Sequence, residues 1–249
     1  MRILITAGGT AEKIDSVRSI TNHSTGSLGK IIAETWLEQG AIVDYVTTRQ
    51  AKIPAAHPNL TVHYIEDTQE LLACLETLLA QSPYFAVIHS MAVSDFTPAS
   101  SLSQEVFMER INQLLPQFNN QVTPDLLRVL VEQPLEATGK LSSDTDHLLM
   151  ILKKTPKVIQ KIKQIQPQTI LVAFKLLVDV SEEKLFQVAR ASLAKNQADY
   201  VLANDLTTIK ENQHIGHLLT ATDKIGTGTS KAEIATLIVD TLLKNEALE

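Results

Sequence analysis

The chain has 249 residues, 44% hydrophobic and 20% charged, with nine glycines and nine prolines; this excludes a disordered, collagen-like or low-complexity protein and suits one large domain or two small ones. Twenty-two Lys and Arg against 28 Asp and Glu give a formal charge of −6, so no overall positive field favours a nucleic-acid backbone, and an anionic small molecule would need local groups. Cys74 is the single cysteine, which excludes an intramolecular disulfide and a cysteine-based zinc site and suggests a reducing compartment.

Residues 2–6 form a short apolar run that stops at Ala7-Gly8-Gly9-Thr10, the way a buried parallel strand enters a turn at its carboxyl end. From 28 to 39, Leu28, Ile31, Ile32, Thr35 and Trp36 recur at helical spacing, and Gly40 supplies a stop. Strands are predicted over 41–47 and 60–65, a helix over Thr68–Gln81 on Leu71, Leu72, Leu75, Leu78 and Leu79, and a strand over 84–93. This alternation predicts an α/β, Rossmann-like fold, a mostly parallel sheet with helices on both faces.

Residues 97–138 mix Ser, Gln, Asn and four prolines around two weak helical stretches, 104–115 and 124–131, and read either as a mobile cover or as a surface excursion. A basic-rich helix is expected over 146–165, interrupted at Pro156, followed by a strand over 168–175. Helix 181–195 is entered through Ser181, with Glu182 and Glu183 suiting its positive end. A strand over 200–203 stops at Asn204-Asp205, an antiparallel strand is expected over 214–221, and Ser230 with Glu233 forms a capping box for helix 230–243. The apolar runs 84–90 and 168–177 fall short of the ~20 residues of a membrane helix, and no signal peptide is read at the start, so a cytoplasmic protein with no membrane partner is expected.

Four groups of residues could carry chemistry. Gly8-Gly9-Thr10, followed by Asp15, Arg18 and the small, hydroxylic stretch from Thr21 to Gly29, places backbone N–H groups before a helix, where an anion such as phosphate is favoured. An ordinary capped helix reads the same way, and neither G-x-x-x-x-G-K-[ST] nor a G-x-G-x-x-G after the first strand is present. In His89-Ser90-Met91-Ala92-Val93-Ser94-Asp95-Phe96 a strand ends in a carboxylate able to meet a ribose or a metal, or simply to cap a turn. Asn204-Asp205 is a similar polar pair, and Lys140, Lys175 and Lys195 are the lysines placed to neutralise phosphate. His214 and His217 would face opposite sides of a strand, so no zinc site and no metal ligand set is read.

In order along the chain, Ile5-Thr6-Ala7-Gly8-Gly9-Thr10, Ile14-Asp15-Ser16-Val17-Arg18-Ser19-Ile20-Thr21-Asn22, Ser24-Thr25-Gly26-Ser27-Leu28-Gly29, Ala92-Val93-Ser94-Asp95-Phe96, Lys140-Leu141-Ser142-Ser143, Ala173-Phe174-Lys175-Leu176 and Lys195-Asn196-Gln197-Ala198-Asp199 resemble the phosphopantothenoylcysteine synthetase family in its stand-alone bacterial form. The resemblance spans nearly all of 1–249 as one phosphopantothenate–cysteine ligase domain, with a flexible insertion or flap around 97–145 and a small dimerisation excursion. It implies a reaction of coenzyme A biosynthesis. The carboxylate of 4′-phosphopantothenate attacks the α-phosphorus of CTP or ATP, pyrophosphate leaves, and the amine of L-cysteine displaces the nucleoside monophosphate from the acyl nucleotidylate.

The resemblance assigns Asn22 to the phosphopantothenate and acyl intermediate, and Lys140 to a catalytic flap lysine. It assigns Gly8, Ser24, Gly26 and Gly29 to the nucleotide phosphates, Ala92 and Asp95 to the strand end that meets the ligands, and Phe174 and Asn204 to the nucleotide pocket, while position and charge assign Lys175 and Lys195 to the nucleotide phosphates. Mg2+ is implied with the nucleotide, and a homodimer is implied with Met91, Phe96 and residues 207–221 as candidate contacts. Because the first strand begins at Met1, no flavin-dependent decarboxylase domain and no FMN are expected. Two other readings of the same residues are a NAD(P)-dependent Rossmann oxidoreductase and a non-catalytic nucleotide-binding module.

Overall fold

The computed structural model describes residues 1–132, 145–210 and 213–246. In chain order the first elements are β1 (Arg2–Ala7), β2 (Ala11–Lys13), β3 (Ser19–Thr21), α1 (Ser27–Glu38), β4 (Ile42–Thr47), β5 (Leu60–Tyr64), α2 (Thr68–Gln81) and β6 (Ala86–His89). There follow β7 (Phe96–Ser103), α3 (Gln104–Leu114), α4 (Pro124–Glu132), β8 (Leu148–Lys154), α5 (Val158–Ile165) and β9 (Ile170–Leu177). The last are α6 (Glu182–Asn196), β10 (Tyr200–Asp205), β11 (Gly216–Leu219), β12 (Lys224–Gly228) and α7 (Lys231–Glu246). The chain falls into two units, one of Met1–Thr10, Asn22–Val93 and the described residues from Lys157 on, the other of Ala11–Thr21 and the described part of Ser94–Pro156.

The first unit is built on an eight-stranded sheet of order β12-β11-β10-β9-β6-β1-β4-β5. The six strands from β5 to β10 run parallel, and β11 and β12 join antiparallel at one edge. The parallel strands, taken in chain order, lie 3-2-1-4-5-6, the doubly wound arrangement whose direction of winding reverses at the first strand. Strand β1 pairs with β4 from Arg2↔Ile42 to Ala7↔Thr47 and with β6 from Ile3↔Ala86 to Thr6↔His89. The expected Rossmann-like, mostly parallel sheet is therefore present.

Alternation along each strand sends one set of side chains to each face. Ile3, Ile5, Val43 and Ile88 meet Ile32 and Trp36 of α1 and Ile234, Ile238 and Leu242 of α7, with the Trp36 ring edge-on to Phe85 at 6.2 Å. Leu4, Val87, Leu171 and Val201 meet Leu71 and Leu75 of α2, Val158 and Ile162 of α5, and Leu185 and Ala189 of α6. At about 1.5–3 kcal/mol for each fully buried aliphatic side chain, these two layers hold the strand ends rigid. Gly40, at φ +75°, stops α1 as its position predicts, and Ala41 N–H donates to the carbonyl of Trp36. Strand β12 is absent from the sequence reading because its Lys-Ile-Gly-Thr-Gly run looks like a loop; a Cβ on Gly228 would lie 2.6 Å from the backbone nitrogen of Ile234, so the glycines let α7 approach.

The second unit holds the antiparallel pair β2–β3, from Ala11↔Thr21 to Lys13↔Ser19, and the antiparallel pair β7–β8, from Phe96↔Lys154 to Ser103↔Leu148. A helix over 146–165 is thus corrected: Leu148–Lys154 is a strand and only Val158–Ile165 is helical. The apolar run 148–152 fits either state by periodicity, and pairing with β7 decides it. Strand β7 accommodates Pro98 at a register shift between Pro98 and Ser100. The helices expected at 104–115 and 124–131 are α3 and α4; Ser103 caps α3, and Leu102, Leu114, Leu126 and Leu130 form this unit's own small core.

Candidate active site

In the first unit, the carboxyl end of β1 lies where the winding of the sheet reverses, and there the chain turns at Gly8 with φ +91°. A Cβ on Gly8 would stand 2.8 Å from that of Ala51, and one on Gly9 would stand 2.5 Å from the carbonyl oxygen of Asn22, so only glycine permits the two approaches. Helix α1 begins close by. Its cap is Gly26 at φ +70°, no cap side chain accepts from its first turn, and that turn carries no carboxylate. Thr25 Oγ1 lies 2.7 Å from Ser27 Oγ, and Lys52 N–H donates to the carbonyl of Thr25 at 2.9 Å. Apart from Ser27 N–H, which donates to Thr25 Oγ1 at 3.4 Å, the start of α1 is therefore a positively polarised helix end without a cap side chain, between two glycine turns, an arrangement suited to an anion. Gly29 is buried in the first turn, where a Cβ would stand 2.5 Å from that of Ala7 and 2.8 Å from Ser90 Oγ. Its missing side chain lets α1 pack closely on β1.

Strand β6 supplies the facing loop. Ala92 N–H donates to the carbonyl of Gly8 at 2.9 Å and its own carbonyl accepts from Thr10 N–H at 3.2 Å, which extends the parallel ladder past both strand ends. The same Ala92 carbonyl accepts from Nδ2 of the exposed Asn22 side chain at 3.3 Å. Gly8, Asn22, half-buried Ser24, Gly26, Gly29 and Ala92 are thus gathered around one end of the β1–β6 pair. Beneath them lies a layer of buried polar groups that sequence reasoning passed over. Thr6 Oγ1 and His89 Nδ1 are 2.9 Å apart, Thr47 Oγ1 donates to the carbonyl of Ala7 at 3.0 Å, and Thr68 Oγ1 donates to Thr10 Oγ1 at 3.4 Å. Burial pushes the His89 imidazolium down to a pKa of about 4. The available signal was a hydroxyl at the end of each otherwise apolar strand, Thr6 in Ile-Leu-Ile-Thr and Thr47 in Tyr-Val-Thr.

Strands β9 and β10 end on the same rim. Phe174 packs with Leu202 in the layer under α1 and α7, and Asn204, two residues beyond Leu202, faces that side as well. Lys175, half-buried, alternates to the opposite face. Buried Asn204 Nδ2 stands 3.3 Å from His214 Nε2, while His214 Nδ1 is buried without a hydrogen-bond partner. The neighbouring Asp205 is committed to local structure. Thr207 Oγ1 and the N–H groups of Val180 and Thr207 all donate to its carboxylate, which holds it down to a pKa of about 2.

Lys195 is not brought to this rim. It lies exposed in the last turn of α6, and α6 starts beside the end of β10, where Asp205 accepts from Val180 N–H, then runs back about 22 Å at 1.5 Å per residue. Ala198 and Asp199, just beyond it, meet Leu193 and the start of β9. A crossover helix between parallel strands must return to the amino end, and that correction follows from topology. Asp95 belongs to the second unit, exposed, with its carbonyl accepting from Thr155 N–H at 3.1 Å. In that unit Asp15 Oδ1 accepts from the N–H groups of Val17 and Arg18, and its Oδ2 takes Arg18 Nη2 at 2.6 Å. Lys140 and the stretch Leu141-Ser142-Ser143 lie outside the described residues. Among the described residues no three His, Cys, Asp or Glu side chains could hold a metal ion together, and no helix is long and apolar enough to cross a membrane.

The sequence matches the family described as DNA/pantothenate metabolism flavoprotein C-terminal domain over residues 1–137 and 131–245. It is similar to the coenzyme A biosynthesis bifunctional protein CoaBC of Thermococcus kodakarensis, 31% identical over 205 residues, which are 82% of this chain and 41% of that protein. The chain spans less than half the length of the curated relatives it matches. Among solved structures, the DNA/pantothenate metabolism flavoprotein from Streptococcus pneumoniae is 41% identical, with a TM-score of 0.84 over 98% of this chain and 99% of that one. A Cab2 mutant in complex with phosphopantothenate-cysteine shares the fold, with a TM-score of 0.66 at 18% identity over 99% of this chain and 88% of that one.

Proposed function

The chain belongs to the DNA/pantothenate metabolism flavoprotein C-terminal domain family, and from that membership we propose that it is a phosphopantothenate–cysteine ligase of coenzyme A biosynthesis. The observation that carries the reading is the start of α1 between Gly8 and Gly26, whose glycine cap has no side chain, with the Asn22 carboxamide anchored beside it on Ala92. That end of the sheet offers dipoles to a phosphate chain and an amide to a carboxylate, side by side. The 31% identical CoaBC of Thermococcus kodakarensis, a coenzyme A biosynthesis protein, supports the pathway, and the Cab2 mutant solved with phosphopantothenate-cysteine shares the fold.

In this reading Gly8, Ser24, Gly26 and the first turn of α1 hold the triphosphate of CTP or ATP, and the close packing allowed by Gly29 fixes that turn. The Asn22 carboxamide orients the phosphopantothenate carboxylate for attack on the α-phosphorus. The new bond joins a carboxylate oxygen to that phosphorus, and the bond to pyrophosphate breaks. The neutral amine of cysteine then attacks the acyl carbon, the nucleoside monophosphate leaves, and the ammonium proton passes to solvent. Phe174 and Asn204 flank the base and sugar, Lys175 offsets phosphate charge, and Asp95 and Lys140 are assigned to the ligand side and to a flap by resemblance alone.

Asp205 is taken up by the Val180 and Thr207 N–H groups and the Thr207 hydroxyl, and the described residues hold no group of three His, Cys, Asp or Glu that could bind a metal, so in this reading Mg2+ would be held chiefly by the nucleotide phosphates and water. A homodimer is proposed on the same family grounds. The experiment is a pyrophosphate-release assay with CTP and ATP side by side, phosphopantothenate present or omitted, and cysteine present or omitted. Release that requires phosphopantothenate is expected, with phosphopantothenoylcysteine formed once cysteine is added. No release with either nucleotide would overturn the reading, and so would release that ignores phosphopantothenate.

A further inference from the structure

The polar layer beneath the rim is a costly way to join β1 to β6, because an imidazole and a hydroxyl buried in mid-sheet must each find partners where an aliphatic pair would need none. Thr6 and His89 are direct partners in the parallel register, with Thr6 fully buried and His89 7% exposed. Thr6 Oγ1 lies 2.9 Å from His89 Nδ1 and also accepts from Met91 N–H at 3.4 Å. The hydroxyl has one proton. With one lone pair given to Met91 it keeps that proton and a second lone pair, so it bonds Nδ1 as donor or as acceptor and ties the ring to β1 in either tautomer. The Thr6 carbonyl meanwhile accepts from Ser90 N–H at 3.1 Å and from Ser90 Oγ at 2.7 Å. One residue of β1 thus holds three consecutive residues of the opposing strand end, and the next one, Ala92, carries the carbonyl that receives the Asn22 amide.

We propose that Thr6 and His89 are positioning residues for Asn22, setting the Ser90–Met91–Ala92 turn so that the Ala92 carbonyl fixes which end of the Asn22 carboxamide faces the ligand. This rests on the ligase reading above for its kinetic consequence and on geometry alone for the placement of the amide. Neither residue touches the reactants. Both act through one backbone carbonyl, so their effect exists only while Asn22 is present.

The test is a double-mutant cycle in the full chain. Thr6→Val keeps the shape and removes the hydroxyl; His89→Leu removes the ring nitrogen that it bonds. Each is expected to lower kcat for phosphopantothenate-dependent pyrophosphate release about tenfold, with the nucleotide KM held within about twofold. Thr6→Ser restores most of the rate lost in Thr6→Val. In the Asn22→Ala background neither change has a further effect, the mark of residues that act as one unit. Losses that multiply in that background would overturn the proposal, as would a Thr6→Val enzyme with the wild-type kcat. If His89→Leu does not fold, the Thr6 series carries the test. If the wild-type protein releases no pyrophosphate, the ligase reading has failed, and the side-chain amide NMR signal of Asn22, assigned by its loss in Asn22→Ala, decides the geometric claim. A shifted signal in Thr6→Val supports it, and an unchanged signal sinks it.

Discussion

The two ends of the parallel sheet in the first unit treat their backbone groups in opposite ways. At the amino end, side chains close off what the turns leave open. Gln166 Nε2 donates to the carbonyls of Leu79 and Ser82, both at 2.6 Å, and its Oε1 accepts from Tyr84 N–H. Lys163 donates to the Thr169 carbonyl and pairs with Asp199, both at 2.7 Å. A hollow of about 430 Å³ lies there, lined by residues 79–85 and 166–170; Gln166 engages the Leu79 and Ser82 carbonyls and the Tyr84 N–H on its wall, while the buried Thr169 hydroxyl has no partner among the described residues. At the carboxyl end the turns are made by Gly8, Gly9 and Gly26, the cap of α1 has no side-chain bond, and the polar side chains sit one layer down, bracing the loops from beneath. The amino end ties most of its open backbone groups to side chains, whereas the carboxyl end leaves the start of α1 without a cap side chain and moves its bracing inward, the contrast expected if the ligand binds as proposed.

The largest effect that sharpens this contrast is expected at Gly29. Alanine for glycine inside a helix ordinarily stabilises by about 1 kcal/mol, but here the added Cβ meets Ala7 and Ser90, and Gly29→Ala should instead cost about 2–3 kcal/mol in urea denaturation. A stabilised variant would mean that the helix start is not packed as described. Next comes Asn22→Ala, which should slow phosphopantothenate-dependent pyrophosphate release by about 100-fold, or 2.7 kcal/mol of barrier. Its unfolding free energy should stay within about 0.5 kcal/mol of wild type, since the side chain is exposed. Wild-type turnover would remove Asn22 from the mechanism.

At the other end, Gln166→Ala should cost about 2 kcal/mol of stability by orphaning two carbonyls and an N–H. Turnover per folded molecule should be unchanged, and a rate defect there would break the division of labour between the two ends. The smallest effect is a pH slope. The folded His89 pKa lies near 4, below its unfolded value near 6.5, so the unfolded chain binds the extra proton first. Stability from this residue is full above pH 6.5 and declines as pH falls toward 4, by at most about 1.4 kcal/mol per unit. His214 and His217, also shifted down by burial, add to the wild-type slope. The His89 share is therefore the difference between wild type and His89→Leu in denaturation midpoints at pH 7 and pH 5; equal slopes would contradict it.

What the sequence made legible follows from which forces act locally. Helices α1, α2 and α6, each with one apolar stripe and a stop or cap such as Gly40 or Ser181, lie where periodicity places them. The central strands β1, β6 and β10 were readable as largely apolar runs buried on both faces, whereas β5 at the sheet's edge is only partly buried. Illegible were the elements decided by a distant partner. Ala11–Lys13 and Ser19–Thr21 are too short to show a period, Phe96–Ser103 is rich in Ser and contains Pro98, and Leu148–Lys154 carries helix-forming residues into a strand. At the rim, Gly8 and Gly26 stood out by residue type before a helix, and Asn22 through the family resemblance. The bracing of Thr6 by His89 did not, because it joins residues 83 positions apart through a register that only the folded sheet defines.

The most direct test is a crystal of the protein soaked with phosphopantothenate and CTP. The account predicts density for the nucleotide phosphates at the start of α1, against Gly8 and Gly26, with the phosphopantothenate carboxylate beside Asn22. Both compounds lodged at the amino end of the sheet, in the hollow beside Gln166, with the rim at Gly8 vacant, would contradict it.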